Sequence, residues 1–184
     1  MCAAMSTETL SLLNYTLPSH YAHKSVRTQM AYRITISIAT YKRPQGLAKL
    51  LESLKEQKLY ATSWRNIEIV VVDNDCTGEN DIVIENLRDK MLCQLYLIKQ
   101  PEKGIVHTRN KAVEYFLNSD AQALIFIDDD EVAHPDWLQN LIQTWVETQA
   151  DIVTGPVYPQ LPPNSPNWAV KGNAFGSPYQ YKTG

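Results

Sequence analysis

The sequence has few cysteines, no excess of basic residues and no long apolar run, and each shortage excludes a class of protein. Its three cysteines, Cys2, Cys76 and Cys93, have no CxxC spacing, which argues against disulfide and zinc frameworks and favours a reducing cytosol. The 17 Lys and Arg residues are outnumbered by 20 Asp and Glu, so no nucleic-acid partner is expected. Apolar runs such as 67–72 and 121–127 fall far short of the roughly 20 residues of a membrane span, which predicts a soluble or at most membrane-associated chain.

The first thirty residues carry no signal-peptide pattern. They have no basic start and no apolar stretch of the required length. Residues 1–30 are therefore predicted to be an extension that is disordered or lies upstream of the functional start. Met30 directly precedes the first strong strand and is the alternative to Met1 as that start.

From Ile34 onward, short apolar runs rich in β-branched residues alternate with stretches of helical period. This alternation is typical of parallel strands joined by crossover helices. Strands are predicted at about 34–39, 67–72, 94–98, 123–127 and 151–157, and helices at about 44–54, 81–90, 105–117 and after Pro135. The fold class is therefore predicted to be α/β, with a mostly parallel central sheet in the domain 31–160.

The composition changes beyond Gly155, because six of the ten prolines fall in the last 29 residues. No helix can run through such a segment. Aromatic residues are interleaved with the prolines, so 161–184 is predicted to be an ordered aromatic loop or a segment that leads to a missing partner region.

Polar residues follow the predicted strands where the chain turns into the next helix. Thr40, Tyr41 and Arg43 follow the first strand, and Asp73 and Asp75 follow the second. Ligands of open parallel sheets bind at this carboxyl edge. Any one of these groups alone is more typical of an ordinary turn, but their coincidence on neighbouring strands favours a binding site.

Four consecutive carboxylates, at 128–131, directly follow the fourth strand. In an extended chain Asp128 and Asp130 point to one side, roughly 6–7 Å apart, and Asp129 points to the other. Two anions at that distance repel by about 2–3 kcal/mol at an effective dielectric near 20, and a hard cation such as Mg²⁺ or Mn²⁺ would relieve the repulsion. An exposed acidic turn leading to the helix after Pro135 explains the run equally well.

Arg109 is predicted to lie within the apolar face of the third helix. At 100° per residue, that face is formed by Ile105, Ala112, Val113 and Phe116. A guanidinium in a buried face needs an anion, either an Asp of the sheet or a ligand phosphate. The position of Arg109 near the helix start, close to the strand ends, favours the phosphate.

Four segments together resemble the family 2 glycosyltransferases of the GT-A fold, a Rossmann-like α/β/α sandwich. They are 36–44 (ISIATYKRP), 68–75 (EIVVVDND), 103–110 (KGIVHTRN) and 126–131 (FIDDDE). Each motif is modest alone, but the set occurs in the family's order and at similar spacing. Within the family, the sequence is most similar to bacterial enzymes that extend surface polysaccharide or lipopolysaccharide.

The resemblance implies a nucleotide-sugar-binding role for the residues at the first two strand ends. Thr40 and Tyr41 would border the nucleotide base, and Asp73 would hydrogen-bond it. Arg43 and Asp75 belong to the same implied nucleotide-sugar-binding set.

The resemblance also implies a diphosphate and metal site. Asp128 and Asp130 match the family's DXD motif, with Asp128 toward the ribose and Asp130 toward a divalent metal, Mg²⁺ or Mn²⁺, that bridges the diphosphate. Asp128 is also an implied metal ligand, Asp129 an implied nucleotide-sugar-binding residue, and Arg109 would approach the diphosphate.

The activity implied is inverting, metal-dependent transfer of a sugar from a UDP-, GDP- or dTDP-linked donor to a polysaccharide or glycolipid acceptor. The expected location is the cytoplasm, with peripheral association at the inner face of the membrane. The family's base lies in a Glu-Asp motif that would come after Gly184, so no catalytic residue is assigned and the chain is expected to be the donor-binding half. The alternative is a noncatalytic nucleotide-, metal- or partner-binding remnant of such an enzyme.

Overall fold

A computed structural model describes residues 3–6, 32–60, 62–161 and 164–168. Within these ranges, one six-stranded sheet is accompanied by four α-helices and a short 3₁₀ helix at Trp64–Asn66. The strands are β1 (Ala3–Ser6), β2 (Ile34–Thr40), β3 (Ile67–Asp73), β4 (Gln94–Lys99), β5 (Ala123–Asp128) and β6 (Ile152–Thr154). The α-helices are α1 (Pro44–Lys55), α2 (Glu79–Arg88), α3 (Ile105–Leu117) and α4 (Trp137–Thr148).

The sheet has the strand order β4-β3-β2-β5-β1-β6, and the four strands from β4 to β5 are parallel. Residues of β2 and β3 are buried along nearly their whole length, as expected of parallel strands covered on both faces. Thr40 pairs with Asp73, and Ala39 with Asp128, so three of the predicted strand ends meet at one edge. The predicted α/β class with a mostly parallel sheet is confirmed.

Helices cover the sheet on both faces. On one face, α1, α2 and α4 share a single core cluster with the strands, and the apolar stripe of α1 is fully buried at Leu47, Leu50, Leu51 and Leu54. Each such leucine contributes about 1.5–3 kcal/mol relative to an exposed side chain. On the other face, α3 packs through Ala112 in a separate cluster. The helices and the sheet therefore form the three α/β/α layers that were predicted.

The structure departs from the sequence-based prediction at one edge of the sheet. Ala3–Ser6 forms a strand that was not predicted, and it pairs antiparallel with both β5 and β6. The last strand is shorter than the predicted 151–157, because Gly155 is followed by Pro156, which has no N–H to donate to a sheet. Of the predicted extension 1–30, residues 1–2 and 7–30 lie outside the described residues.

The predicted proline-rich segment 161–184 is described only at Leu161 and 164–168. What was predicted for the rest of this segment lies outside the described residues. Trp168 is 66% exposed. In the described ranges, no helix combines the length and the apolar character that a membrane crossing requires.

Candidate functional site

A cavity of about 510 Å³ opens at the carboxyl edge of the parallel strands. This volume lies within the usual range of small-molecule sites. Seven of the residues predicted from sequence line it: Thr40, Tyr41, Arg43, Arg109, Asp128, Asp129 and Asp130. The two predicted residues outside its lining are Asp73 and Asp75. The cavity therefore lies at the carboxyl edge of the sheet, where a binding site was predicted, and the binding role of these residues stays a prediction.

The acidic run 128–131 forms a turn, which corrects the expectation of an extended chain. β5 ends at Asp128, and the backbone N–H of Glu131 donates to the carbonyl of Asp128 at 3.1 Å. The expectation that successive side chains point to opposite sides therefore does not hold beyond the end of β5. All three aspartates, Asp128, Asp129 and Asp130, contribute to the same cavity.

Asp129 anchors this acidic turn to the start of α1. Its side chain is 9% exposed and accepts hydrogen bonds from Thr40 Oγ1 at 2.8 Å and from an Arg43 guanidinium N–H at 3.3 Å. Burial raises the pKa of Asp129, while Thr40 and Arg43 act in the opposite direction. A Cβ added to Gly46 would lie only 2.5 Å from the carbonyl oxygen of Asp129, so the turn packs directly on the helix backbone.

Arg43 and Asp130 form the more exposed ion pair of the cavity. A guanidinium N–H of Arg43 donates to Asp130 at 2.6 Å, and the two side chains are 53% and 62% exposed. This hydrogen bond, together with the charge of Asp129, raises the pKa of Arg43. The predicted metal ligand Asp130 therefore has an arginine as its partner in this structure.

Arg109 pairs with the last residue of β5. Its guanidinium donates to Asp128 at 2.8 Å and lies 5.9 Å from the centre of the Phe126 ring. Sequence left two anions open as the partner of Arg109, an aspartate of the sheet and a ligand phosphate. In the structure the partner is the aspartate, Asp128. The contact of Arg109 with a ligand phosphate stays a prediction.

The buried face of α3 differs from the predicted one. Ile105 is 53% exposed, and Thr108 is buried. Ile105 is the first residue of the helix and lines the cavity, which accounts for its exposure. Arg109 is 42% exposed, because its face of α3 turns toward this opening.

Asp73 is fully buried and engaged by neighbouring groups rather than facing the cavity. It accepts hydrogen bonds from Lys99 Nζ and Asn80 Nδ2, both at 2.9 Å, and from the backbone N–H of Asp75 at 3.0 Å. Burial opposes its ionised form, but these partners, led by Lys99, hold the pKa of Asp73 below its usual value. Asp73 therefore does not line the cavity, and its contact with a nucleotide base stays a prediction.

The side chain of Asp75 also interacts with neighbouring residues. Its side chain is 5% exposed, lies 3.9 Å from Lys42 Nζ and accepts a hydrogen bond from Thr77. This short-range pairing explains why Asp75 follows a strand end without lining the cavity.

Sequence reasoning missed six lining residues, namely Ala39, Asn74, Lys103, Gly104, Ile105 and Thr108. The segment 103–110 was quoted as a motif, but only Arg109 was assigned from it. The sequence signal was the glycine itself, since Gly is favoured where the backbone needs a positive φ. In the structure Gly104 has a φ of +130°. Lys103 Nζ lies 5.7 Å from the centre of the Tyr41 ring, and Lys42 Nζ lies 5.5 Å from it, so the half-exposed ring is flanked by two cations.

The oxygen donors of the cavity suit a hard cation that a ligand helps to coordinate. In the part of the chain that the structure describes, no cluster of three or more His, Cys, Asp or Glu could hold a metal by itself. Asp128 and Asp130 line one cavity, and two carboxylates leave coordination positions for ligand oxygens, as Mg²⁺ and Mn²⁺ sites commonly do. The donor set therefore fits the metal that the resemblance implies.

Comparison of the sequence with known proteins gives three matches. The family model described as glycosyl transferase family 2 matches residues 35–183. The succinoglycan biosynthesis protein ExoM of Rhizobium meliloti is 33% identical over 140 residues, which are 76% of this chain and 43% of that protein. The glycosyltransferase GlyA of Streptococcus pneumoniae is 29% identical over 126 residues, or 68% of this chain and 17% of that protein. The chain spans less than half the length of either relative.

Comparison of the structure with solved proteins shows the same fold. Residues 1–349 of S. aureus TarS match with a TM-score of 0.56 at 23% identity, over 70% of this chain and 38% of that one. TarS 1–349 has also been solved with UDP and with UDP-GlcNAc. The mannosyltransferase PcManGT of Pyrobaculum calidifontis, solved with GDP-Man and Mn²⁺, matches with a TM-score of 0.52 at 22% identity, over 65% of this chain and 33% of that one.

The family match extends over most of the chain, and the motifs that suggested it from sequence come together around one cavity of a GT-A fold. On this evidence the chain belongs to glycosyl transferase family 2.

Proposed function

We propose that this chain binds the nucleotide-sugar donor of a metal-dependent, inverting glycosyltransferase. The observation that carries the proposal is the cavity in which Arg43, Arg109, Asp128 and Asp130 come together at the carboxyl edge of the sheet. It combines cations for a diphosphate with oxygen donors for a metal. The nucleotide-sugar donors bound by TarS and PcManGT, and the Mn²⁺ bound by PcManGT, support this class of ligand.

The diphosphate would contact the cationic side of the cavity. Arg43, Arg109 and Lys103 line it together with the first residue of α3. Guanidinium groups bind phosphate oxygens with bidentate geometry, and the partial positive charge at a helix start adds to their effect. Tyr41, half exposed between two lysines, supplies a flat surface for the base.

Asp128 and Asp130 would hold the divalent cation. When bound, such a cation stabilises the negative charge that develops on a departing nucleoside diphosphate. Each aspartate is paired with an arginine in the present structure, Asp128 with Arg109 and Asp130 with Arg43. Binding would therefore exchange partners: the carboxylates turn to the cation, and the guanidinium groups turn to the phosphates.

An inverting transfer needs a base that takes the proton of the acceptor hydroxyl. We assign this role to none of the cavity carboxylates, because Asp128 and Asp130 would hold the cation and Asp129 is buried against Thr40. Donor binding is therefore the step we attribute to these residues. The name of the relative ExoM, a succinoglycan biosynthesis protein, supports a saccharide or glycolipid acceptor for the whole enzyme.

We also propose that the transfer takes place in the cytoplasm, with a glycolipid acceptor presented at the inner face of the membrane. Cys76 and Cys93 are free thiols, which suits a reducing compartment.

The variant Asp130→Ala tests the metal part of this proposal. Titration calorimetry with UDP, GDP and dTDP, each with and without Mn²⁺, is expected to show Mn²⁺-dependent binding of at least one nucleotide to the natural chain. Loss of a metal ligand should weaken that binding at least as much as the roughly 10- to 100-fold cost of losing an outer-shell partner. Binding without Mn²⁺ should change little.

The matched control is Asp151→Ala, since Asp151 is an exposed aspartate that precedes β6 and lies outside the cavity lining. It should bind like the natural chain. If the natural chain shows no Mn²⁺-dependent binding of any of the three nucleotides, the proposed function is wrong for this chain.

A further inference from the structure

The side chain of Asn74 lies at the end of β3 and bonds to a single loop. Its Nδ2 donates to the carbonyls of Gln100 and Glu102, both at 2.7 Å, and its Oδ1 accepts from the backbone N–H of Gly104 at 2.8 Å. Asn74 is 6% exposed. An amide is the side-chain group that offers both donors and an acceptor on one planar unit, and here all three bonds hold the segment 100–104 between β4 and α3.

This loop forms one wall of the cavity and sets the start of α3. Lys103 and Gly104 line the cavity, as do Thr108 and Arg109 one turn further on. The carbonyl of Gly104 accepts from the backbone N–H of Thr108 at 3.2 Å and from its hydroxyl at 3.0 Å. Gly104 is thus held by Asn74 through its N–H and by the first turn of α3 through its carbonyl.

The backbone of Asn74 also connects this region to the end of β2. Its N–H donates to the carbonyl of Thr40 at 2.9 Å, and the N–H of Gln100 donates to the carbonyl of Asp73 at 2.8 Å. One residue therefore links the end of β2, the end of β3 and the loop before α3. Both Thr40 and Lys103 line the cavity, so this link connects two parts of its wall.

We propose that Asn74 is a positioning residue, which holds 100–104 and the start of α3 so that Lys103 and Arg109 face the bound nucleotide. The inference rests on the proposed donor-binding function. Asn74→Asp distinguishes positioning from simple filling of space, because the two side chains have nearly the same shape. The carboxylate still accepts from Gly104, but it faces two carbonyl oxygens without a proton to donate.

The experiment compares the natural chain with Asn74→Asp, Asn74→Ala and the control Asn118→Ala. Asn118 also donates its side-chain N–H to a carbonyl, that of Glu114 at 2.8 Å, but at the far end of α3. Backbone hydrogen exchange and the affinities for UDP, GDP and dTDP, each with Mn²⁺, are measured for every variant.

Both Asn74 variants are expected to exchange the Gly104 amide at least tenfold faster and to bind the nucleotide roughly tenfold more weakly. Amides of β2 and β3 should keep their protection, and Asn118→Ala should match the natural chain in both measurements. Asn74→Asp keeps the experiment decisive if Asn74→Ala fails to fold.

Three results would overturn the proposal. The first is unchanged protection of Gly104 in Asn74→Asp, and the second is faster exchange of Gly104 with unchanged nucleotide affinity. The third is an equal loss of protection in β2 and β3, since Asn74 would then only stabilise the fold. If the natural chain itself binds none of UDP, GDP and dTDP with Mn²⁺, the proposed function fails, and the exchange of Gly104 still decides whether Asn74 holds the loop.

Discussion

Gly46→Ala is expected to abolish Mn²⁺-dependent nucleotide binding while the sheet and its core stay folded. Gly46 lies in the first turn of α1, and an added Cβ would be 2.5 Å from the carbonyl oxygen of Asp129. That oxygen belongs to the backbone, so no side-chain rotation removes the overlap. The acidic turn must move by roughly 1 Å to reach ordinary contact distance, and this displaces Asp128 and Asp130 together.

The stability of the Gly46 variant should change less than its binding. Alanine in place of glycine within a helix gains up to about 1 kcal/mol, whereas overpacking costs typically about 1–3 kcal/mol. The two contributions have opposite signs, which leaves a moderate net loss. Thermal unfolding and titration calorimetry with UDP and GDP, each with Mn²⁺, measure the two effects separately.

Gly155→Ala is the matched control for Gly46→Ala. A Cβ added at Gly155 meets no described atom within 4 Å, so this variant should bind and unfold like the natural chain. Natural affinity in Gly46→Ala would show that the acidic turn is not packed on α1 as described.

Lys99→Met is expected to cause the largest loss of stability among the variants discussed. Lys99 Nζ lies 2.9 Å from the fully buried carboxylate of Asp73 and also pairs with Asp81. Removing one member of a buried ion pair costs about 3–5 kcal/mol. Because the Lys99 side chain is 35% exposed, we expect the lower end, about 3 kcal/mol.

The cost of Lys99→Met should grow as the pH rises. In the natural chain the pKa of Asp73 lies below its ordinary value of 3.8, so its ionised form adds stability above that pH, and the contribution is lost as the pH falls through the lowered pKa. Without Lys99, burial raises the pKa of Asp73, and ionisation then destabilises the fold. The difference between the two proteins should therefore widen from about pH 3 to pH 7.

Urea unfolding at several pH values checks the effect of Lys99→Met on stability. Lys111→Met is the control, since Lys111 pairs with Glu114 on the surface of α3, and such pairs are worth about 1 kcal/mol or less. A pH-independent loss in Lys99→Met would contradict the pairing with Asp73.

The parts of the fold that sequence predicted are those with local signals. The strands at Ile34–Thr40 and Ile67–Asp73 are continuous apolar runs, and the leucines of α1 recur at helical spacing. β1 has only four residues, and its place in the sheet comes from pairing with strands more than a hundred residues away. No local pattern could have shown it.

The site was predicted by the same logic and with the same limit. Strand ends converge whatever their side chains do, so position alone predicted that Thr40 and Asp128 would lie close together, and both line the cavity. Asp73 lies outside the cavity lining, and sequence could not show that Lys99, 26 residues later, pairs with it. Asn74 was missed because its role depends on three backbone groups of a distant loop.

The ion pairs of the cavity also bear on how fast a ligand arrives. Among the described residues that line it, three cations, Arg43, Lys103 and Arg109, face three aspartates, so the formal charges cancel. A neutral cavity does not attract a polyanion over distances beyond a Debye length. Diffusional encounter should therefore depend little on ionic strength, and discrimination among anions begins only at contact, when the pairs separate.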